Sequence, residues 1–140
     1  MSQYFQAADT VLWNPSNGVA QLYVNQLDAI ARVVGIPTGL GPQVADEYEI
    51  DMPVFTRFVD TLVRRYCSSN HPVLRSLIEA VAAVGIVVVE RAGGTVPGLT
   101  DLGEARDTRD VAVFTTGPGA VGDPARLRCL ADDLSQAMAR

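Results

Sequence analysis

Lysine is missing from this chain of 140 residues: its 11 basic positions are all arginine, they are outnumbered by 16 acidic ones, and the net charge is -5. That balance excludes sequence-independent attraction to a phosphate backbone, which needs a clustered basic face. Only Arg64 and Arg65 adjoin, and an isolated basic pair is normally a solvated helix face. The exclusive use of arginine reads as the imprint of a GC-rich genome. Cysteine is scarce, with Cys67 and Cys129 as the only two. Neither sits in a CxxC pair, one bridge is the most they can form, and in a reducing compartment they stay thiols. Histidine occurs once, so the zinc pattern of three or more close nitrogen, sulfur or oxygen ligands is not written here. Long apolar runs are lacking as well. The most apolar stretch, Val81 to Val89, is about half the roughly 20 residues of a membrane span, and Arg75, Glu79 and Glu90 bracket it. It predicts a core element. The opening Met1-Ser2-Gln3-Tyr4-Phe5 has neither the basic nor the apolar part of a secretion signal, so a cytoplasmic location is expected.

What is present is ordinary globular composition, 48% hydrophobic and 19% charged, enough apolar surface to offset chain entropy. The length suits one domain over residues 1–140.

The organising signal is a polar residue placed beside a proline ahead of an amphipathic segment. Asn14-Pro15, Asp51-Met52-Pro53, Asn70-His71-Pro72 and Asp123-Pro124 each supply a capping side chain next to a proline, whose missing N–H costs nothing early in a helix. Four helices are predicted from these starts. The first, Pro15 to Val34, carries Val19, Leu22, Tyr23, Leu27, Ile30, Val33 and Val34 on one broad stripe and stops at Gly35, with Pro37 beyond it. In the second, Pro53 to Cys67, Phe55, Phe58, Val59, Leu62, Val63 and Tyr66 oppose Arg57, Asp60, Thr61, Arg64 and Arg65, the strongest amphipathic pattern in the chain. The third starts near Pro72 and becomes apolar all round, as a central helix does. Its β-branched run Ile86-Val87-Val88-Val89 after Gly85 is read as continued helix, with a buried strand as the alternative. The last runs from Pro124 to about Ala139, with Leu127, Leu130, Ala131, Leu134 and Met138 inward and Cys129 outward.

Between the third and last helices, residues 93–110 lose periodicity and read as a long loop. Asp110 to Thr116 reads as a strand, with a partner in Gln3 to Phe5 or Val11 to Trp13. The predicted fold is therefore mainly α, a compact bundle of about four helices with a minor β-hairpin or short two-stranded element.

Four stretches resemble a family of small uncharacterised actinobacterial proteins: Leu12-Trp13-Asn14-Pro15-Ser16-Asn17, Gly35-Ile36-Pro37-Thr38-Gly39-Leu40-Gly41-Pro42, Glu49-Ile50-Asp51-Met52-Pro53 and His71-Pro72-Val73-Leu74-Arg75. The resemblance covers about the first two thirds of the chain. It implies a bacterial cytosolic origin and transfers no catalytic residues.

Each candidate for chemistry has a plainer counterpart. Asp46, Glu47, Glu49 and Asp51 offer oxygen ligands that suit a hard cation, yet they match no cation-loop spacing and read better as a solvated loop ending in the cap Asp51. Cys67 and His71 lie four residues apart, as a thiolate and its base would, but the break at Ser68-Ser69-Asn70 need not turn them together. The turn Thr115-Thr116-Gly117-Pro118-Gly119 has the outline of an anion-binding loop without the lysine of the phosphate-loop pattern, and reads as a connector. The glycine- and proline-rich segment Gly35 to Pro42 sits beside the acidic loop, where the two can form a ligand crevice. Trp13, Tyr4, Phe5 and Tyr23 can line an apolar pocket, although aromatics at a helix entry usually staple it to the core. The residues nearest this predicted loop cluster, His71, Asp51, Glu49, Tyr48 and Trp13, are the candidate ligand or partner contacts. No metal or cofactor is expected.

Two function classes remain. One is a non-enzymatic interaction or regulatory accessory protein, with a protein partner or self-association through surplus apolar surface on the third helix. The other is a small enzyme or binder of an apolar metabolite, using acidic, Tyr or His side chains in an inter-helix pocket. A large polar-lined pocket favours the second, and an exposed apolar patch favours the first.

Overall fold

The computed structural model describes residues 1–101 and 120–140. The chain runs β1 (Tyr4–Ala7), β2 (Thr10–Trp13), α1 (Asn17–Val34), β3 (Leu40–Val44), β4 (Glu47–Ile50), α2 (Met52–Ser68), α3 (Pro72–Arg91), a 3-10 turn at Pro97–Leu99, and α4 (Pro124–Ala137). The protein is predominantly α with a sheet element, as its periodicity predicts. The expected strand Asp110 to Thr116 and the turn 115–119 lie outside the described residues.

Helix starts follow local capping chemistry. Asp51 accepts the Val54 N–H at 3.3 Å, His71 Nδ1 accepts the Leu74 N–H at 3.2 Å, and Asp123 accepts the Ala125 N–H at 2.9 Å. The start predicted at Asn14-Pro15 is corrected. There α1 begins at Asn17 with Ser16 as its cap residue and no side-chain cap bond, while the Asn14 N–H is drawn off to the Ala139 carbonyl at 2.9 Å. Gly35 ends α1 in the left-handed region at φ 73°, its N–H returned to Ala31. Residues 86–89 are helical, as read from the sequence.

The minor two-stranded element is also corrected: the sheet has four strands in the order β2-β1-β4-β3, and only its β1–β4 pair is parallel. Ala8 and Asp9 turn the first hairpin with φ of 46° and 65°. Both values belong to a turn that normally announces itself as Asn-Gly or Asp-Gly. This one carries no such signal, which is why Gln3 to Phe5 and Val11 to Trp13 look like alternative partners for a third segment rather than partners of each other. The end of the glycine- and proline-rich segment, from Leu40, and the expected acidic loop as far as Ile50 form a second hairpin, β3 with β4, turned at Ala45 with φ 54°.

The core lies between the sheet and the helices. Phe5 stacks between Trp13 (5.2 Å) and Tyr48 (4.9 Å), with Tyr23 edge-on to Phe5 and Trp13. Such offset and edge arrangements add to the burial of large rings. The apolar run of α3 is central. Val81, Ala82, Ala83 and Gly85 through Val89 are all buried. At Gly85 a Cβ would stand 2.6 Å from a Val59 methyl, so the glycine permits α2 and α3 to approach. Along its other flank α3 is tied to α4: Glu79 pairs with Arg126 at 2.8 Å and Glu90 with Arg128. Arg91 donates to the carbonyls of Leu12, Ser135 and Met138 at 2.8–3.0 Å, joining α3 to β2 and the end of α4. Of the predicted loop, residues 93–101 are anchored on α2, where the Gly98 N–H meets Asp60 at 2.6 Å and Arg64 reaches the Asp101 carbonyl at 2.8 Å.

Candidate functional site: the face between α1 and α3

The residues singled out from the sequence do not form one cluster. Trp13 and Tyr48 come together through the Phe5 ring between them, as core members. The Tyr48 hydroxyl donates to Gln43 at 3.2 Å. Glu49 accepts the Ala8 N–H at 2.9 Å and Glu47 accepts the Gln6 amide at 3.1 Å, so these carboxylates brace the sheet from its exposed side. Asp51 and His71 cap different helices. Among the described residues no three His, Cys, Asp or Glu side chains gather as a metal site would require. Cys67 is buried, and burial, aided by the negative charge of Asp123, pushes its thiol up to about 11. The Nδ1 of His71 is occupied by its cap bond. A protonated thiol and an imidazole committed to a helix cap make no nucleophile–base pair. Cys129 is an exposed free thiol on the outer side of α4.

The feature that sequence reasoning left undivided is on α1. Its broad apolar stripe is wider than the core can cover, and it splits in two. Ala20, Tyr23 and Leu27 are buried. Val19, Leu22 and Val33 are 49%, 60% and 62% exposed. Across from them on α3, Val73 and Leu77 are 61% and 70% exposed. Single exposed apolar residues need no explanation, but a contiguous row of them does.

Between the two rows runs a groove with two hollows. The first, of about 450 Å³, is walled by Trp13, Leu22, Tyr23, Val84, Leu134 and Met138, among others. The second, of about 300 Å³, lies between Ile30 and Val33 of α1 and Leu74, Leu77 and Ile78 of α3, with buried Arg65 at its wall. Gln26 borders both hollows. Residues 19–26 of α1 meet 80–84 of α3, and residues 26–34 meet 74–78, so the two helices are antiparallel. Trp13 and Tyr23 do line a pocket, whereas Phe5 stands behind them and Tyr4 is not part of its wall.

Electrostatically the first hollow is neutral, with no charged side chain in its wall among the described residues. The Tyr23 hydroxyl and the Asn14 Oδ1, both from residues of its wall, are buried without a hydrogen-bond partner among the described residues. Desolvation drives the Tyr23 pKa far above its ordinary value, so the hydroxyl is un-ionised.

Neither the curated proteins nor the solved structures contain a match to this chain. The model of a family of unknown function, DUF6086, matches residues 1–140, and the chain belongs to that family.

Proposed function

We propose that this protein is a non-enzymatic interaction protein that docks another polypeptide on the face between α1 and α3. The observation that carries the reading is the exposed apolar pair of rows, Val19, Leu22 and Val33 facing Val73 and Leu77, along a groove about five helical turns long. A small molecule would be enclosed and would not need leucines on the groove's outer lips. A polypeptide laid along two helices covers them. The described groups with acid–base chemistry argue the same way, since Asp51 and His71 cap helices and Glu47 and Glu49 brace the sheet.

The expected setting is the cytoplasm of an actinobacterial cell, in keeping with two free thiols. By length and composition α3 could cross a membrane. We read it instead as a core helix, because its apolar C-terminal half already packs inside the fold. The acidic charge balance favours protein over nucleic acid as partner.

The test places a photo-crosslinking amino acid at Leu77 in the native host, identifies the captured protein, and reconstitutes the complex from purified components. Leu22→Glu and Leu77→Glu are expected to weaken that complex by about tenfold or more, as loss of an apolar anchor does. An affinity unchanged in both variants would retire the reading.

A second reading has its own observation, the neutral hollow beside Trp13 and the unpartnered Tyr23 hydroxyl. A small uncharged apolar molecule fits that chemistry. Trp13 is the one tryptophan and reports on the hollow directly. Titration with 2-acetylnaphthalene should then give a saturable change in its emission that Val84→Phe, by filling the hollow, abolishes; a flat titration rejects this reading.

A further inference from the structure

We infer that the first hollow takes a small apolar alcohol or phenol whose hydroxyl meets Tyr23 and Asn14; the inference rests on the second reading above, the uncharged molecule beside Trp13, and names its polar group.

The argument begins with two oxygens that the fold leaves unpaired. Tyr23 is 6% exposed. Its hydroxyl makes no hydrogen bond among the described residues, and neither does Oδ1 of Asn14. Bulk water reaches neither atom. A buried donor or acceptor gives up its hydration on folding and regains nothing until another polar group meets it. Phenylalanine at position 23 would keep the ring contacts with Phe5 and Trp13 without that cost. Both residues stand instead in the wall of one hollow, and both border one ring: Asn14 follows Trp13 in the chain, and Tyr23 lies edge-on to it at 5.3 Å.

The rest of the wall divides by exposure. Its other polar residues, Ser16 and Gln26, are exposed and are served by water. Trp13, Val81, Val84, Leu134 and Met138 are apolar, and among the described residues no charged side chain joins them. At about 450 Å³ the hollow has the size and lining of a small-molecule site, mostly apolar with a few placed polar groups. An ionised ligand would lose its hydration there with no opposite charge to meet it.

The head group follows from the count of donors and acceptors. Asn14 Oδ1 can only accept, so the ligand must donate. The Tyr23 hydroxyl has a hydrogen to give, so the ligand must also accept. A ketone or an ether meets only the second demand. A hydroxyl meets both from a single oxygen. It is also the smallest group that does so, which matters because the two protein oxygens are sealed from water and the head group has to part the side chains over them.

Isothermal titration calorimetry of the full-length chain, at neutral pH where the phenol is un-ionised, compares 2-naphthol with its methyl ether, which keeps the acceptor and loses the donor. The naphthol should bind about tenfold more tightly, because the ether leaves Asn14 Oδ1 unpaired. Asn14→Ala should erase that preference, and Tyr23→Phe should weaken both compounds. Tyr23→Phe should also melt no lower than wild type, since the hydroxyl it removes has no partner among the described residues. A lower melting temperature would reveal such a partner and overturns the inference. Equal binding of the two compounds, both lost in Val84→Phe, overturns the hydroxyl and leaves the second reading standing. A preference for the naphthol that survives both Asn14→Ala and Tyr23→Phe overturns it likewise. Binding by neither compound, or binding untouched by Val84→Phe, removes the hollow and the hydroxyl together.

Discussion

The two flanks of α3 are built by different chemistry. Towards α4 the helix is held by the Glu79–Arg126 and Glu90–Arg128 pairs and by the three carbonyls on Arg91. Towards α1 no side-chain hydrogen bond or ion pair is seen to cross among the described residues, and two hollows lined mostly by apolar side chains lie between the helices. Directional bonds fix one arrangement, whereas apolar contact alone tolerates several. The comparison teaches that the α4 flank is closed by directional bonds, whereas the α1 flank leaves apolar side chains uncovered among the described residues.

The contrast is open to attack by substitution, and the largest effect is expected on the bonded flank. Leu127 of α4 is fully buried, so Leu127→Ala should cost roughly 3 kcal/mol by urea denaturation, from lost transfer energy and the cavity left behind. Leu22→Ala, on the open flank, should stay within about 0.5 kcal/mol of wild type. Equal costs would erase the distinction.

Next in size is Arg91→Met, which removes the charged donor from three carbonyls. A loss of about 2–3 kcal/mol is expected, with increased amide exchange at β2 and the end of α4 before the rest of the chain. Exchange that rises first in α1 would contradict the assignment of Arg91 as the tie of that corner. A similar but purely steric effect is expected at Gly85→Ala, where the new methyl meets Val59. Overpacking there should cost about 1–3 kcal/mol in a thermal melt and would be relieved by Val59→Ala.

A smaller loss, about 1 kcal/mol, is expected for Asp51→Ala, which leaves the Val54 N–H without its cap. The smallest effect concerns pH. The Cys67 thiol is held up to about 11 in the fold against an ordinary 9.0. Between those values only the unfolded chain releases the proton, so this contribution is intact below pH 9 and is lost as pH rises towards 11. Cys67→Ala should flatten that alkaline slope in urea midpoints measured from pH 8 to 11. A thiol reagent at pH 8 should modify Cys129 quickly and Cys67 only slowly, because Cys129 alone is exposed.

Much of the helical frame was legible because its causes are local. Asp51, His71 and Asp123 cap within three residues of themselves, and Gly35 ends α1 through its own backbone freedom. Asn14 misled for the complementary reason: the Pro15 carbonyl accepts the Gln3 N–H at 3.0 Å and Ser16 bridges Ser2, so the segment after Asn14 stays extended beside the start of the chain and the helix begins later. The sheet was half legible. Strand segments near Gln3 and Val11 were visible, but their pairing depended on an Ala-Asp turn without the usual turn residues, and β3 hid inside a stretch rich in glycine and proline. Of the proposed contact residues, the sequence could say that Asp51 caps a helix; it could not say that Trp13 and Tyr48 share Phe5.

By itself, then, the order of residues determined where three of the helices start, where α1 stops, and that α1 carries more apolar surface than one contact needs. Capping and periodicity act over one or two turns, so they can be read without knowing the fold. Which part of that surface is covered was decided only by the tertiary structure. The packing of α2 and the sheet against α1 takes Tyr23 and Leu27 inward and leaves Leu22 and Val33 outside. Burial depends on neighbours distant in the chain, and periodicity carries no information about them.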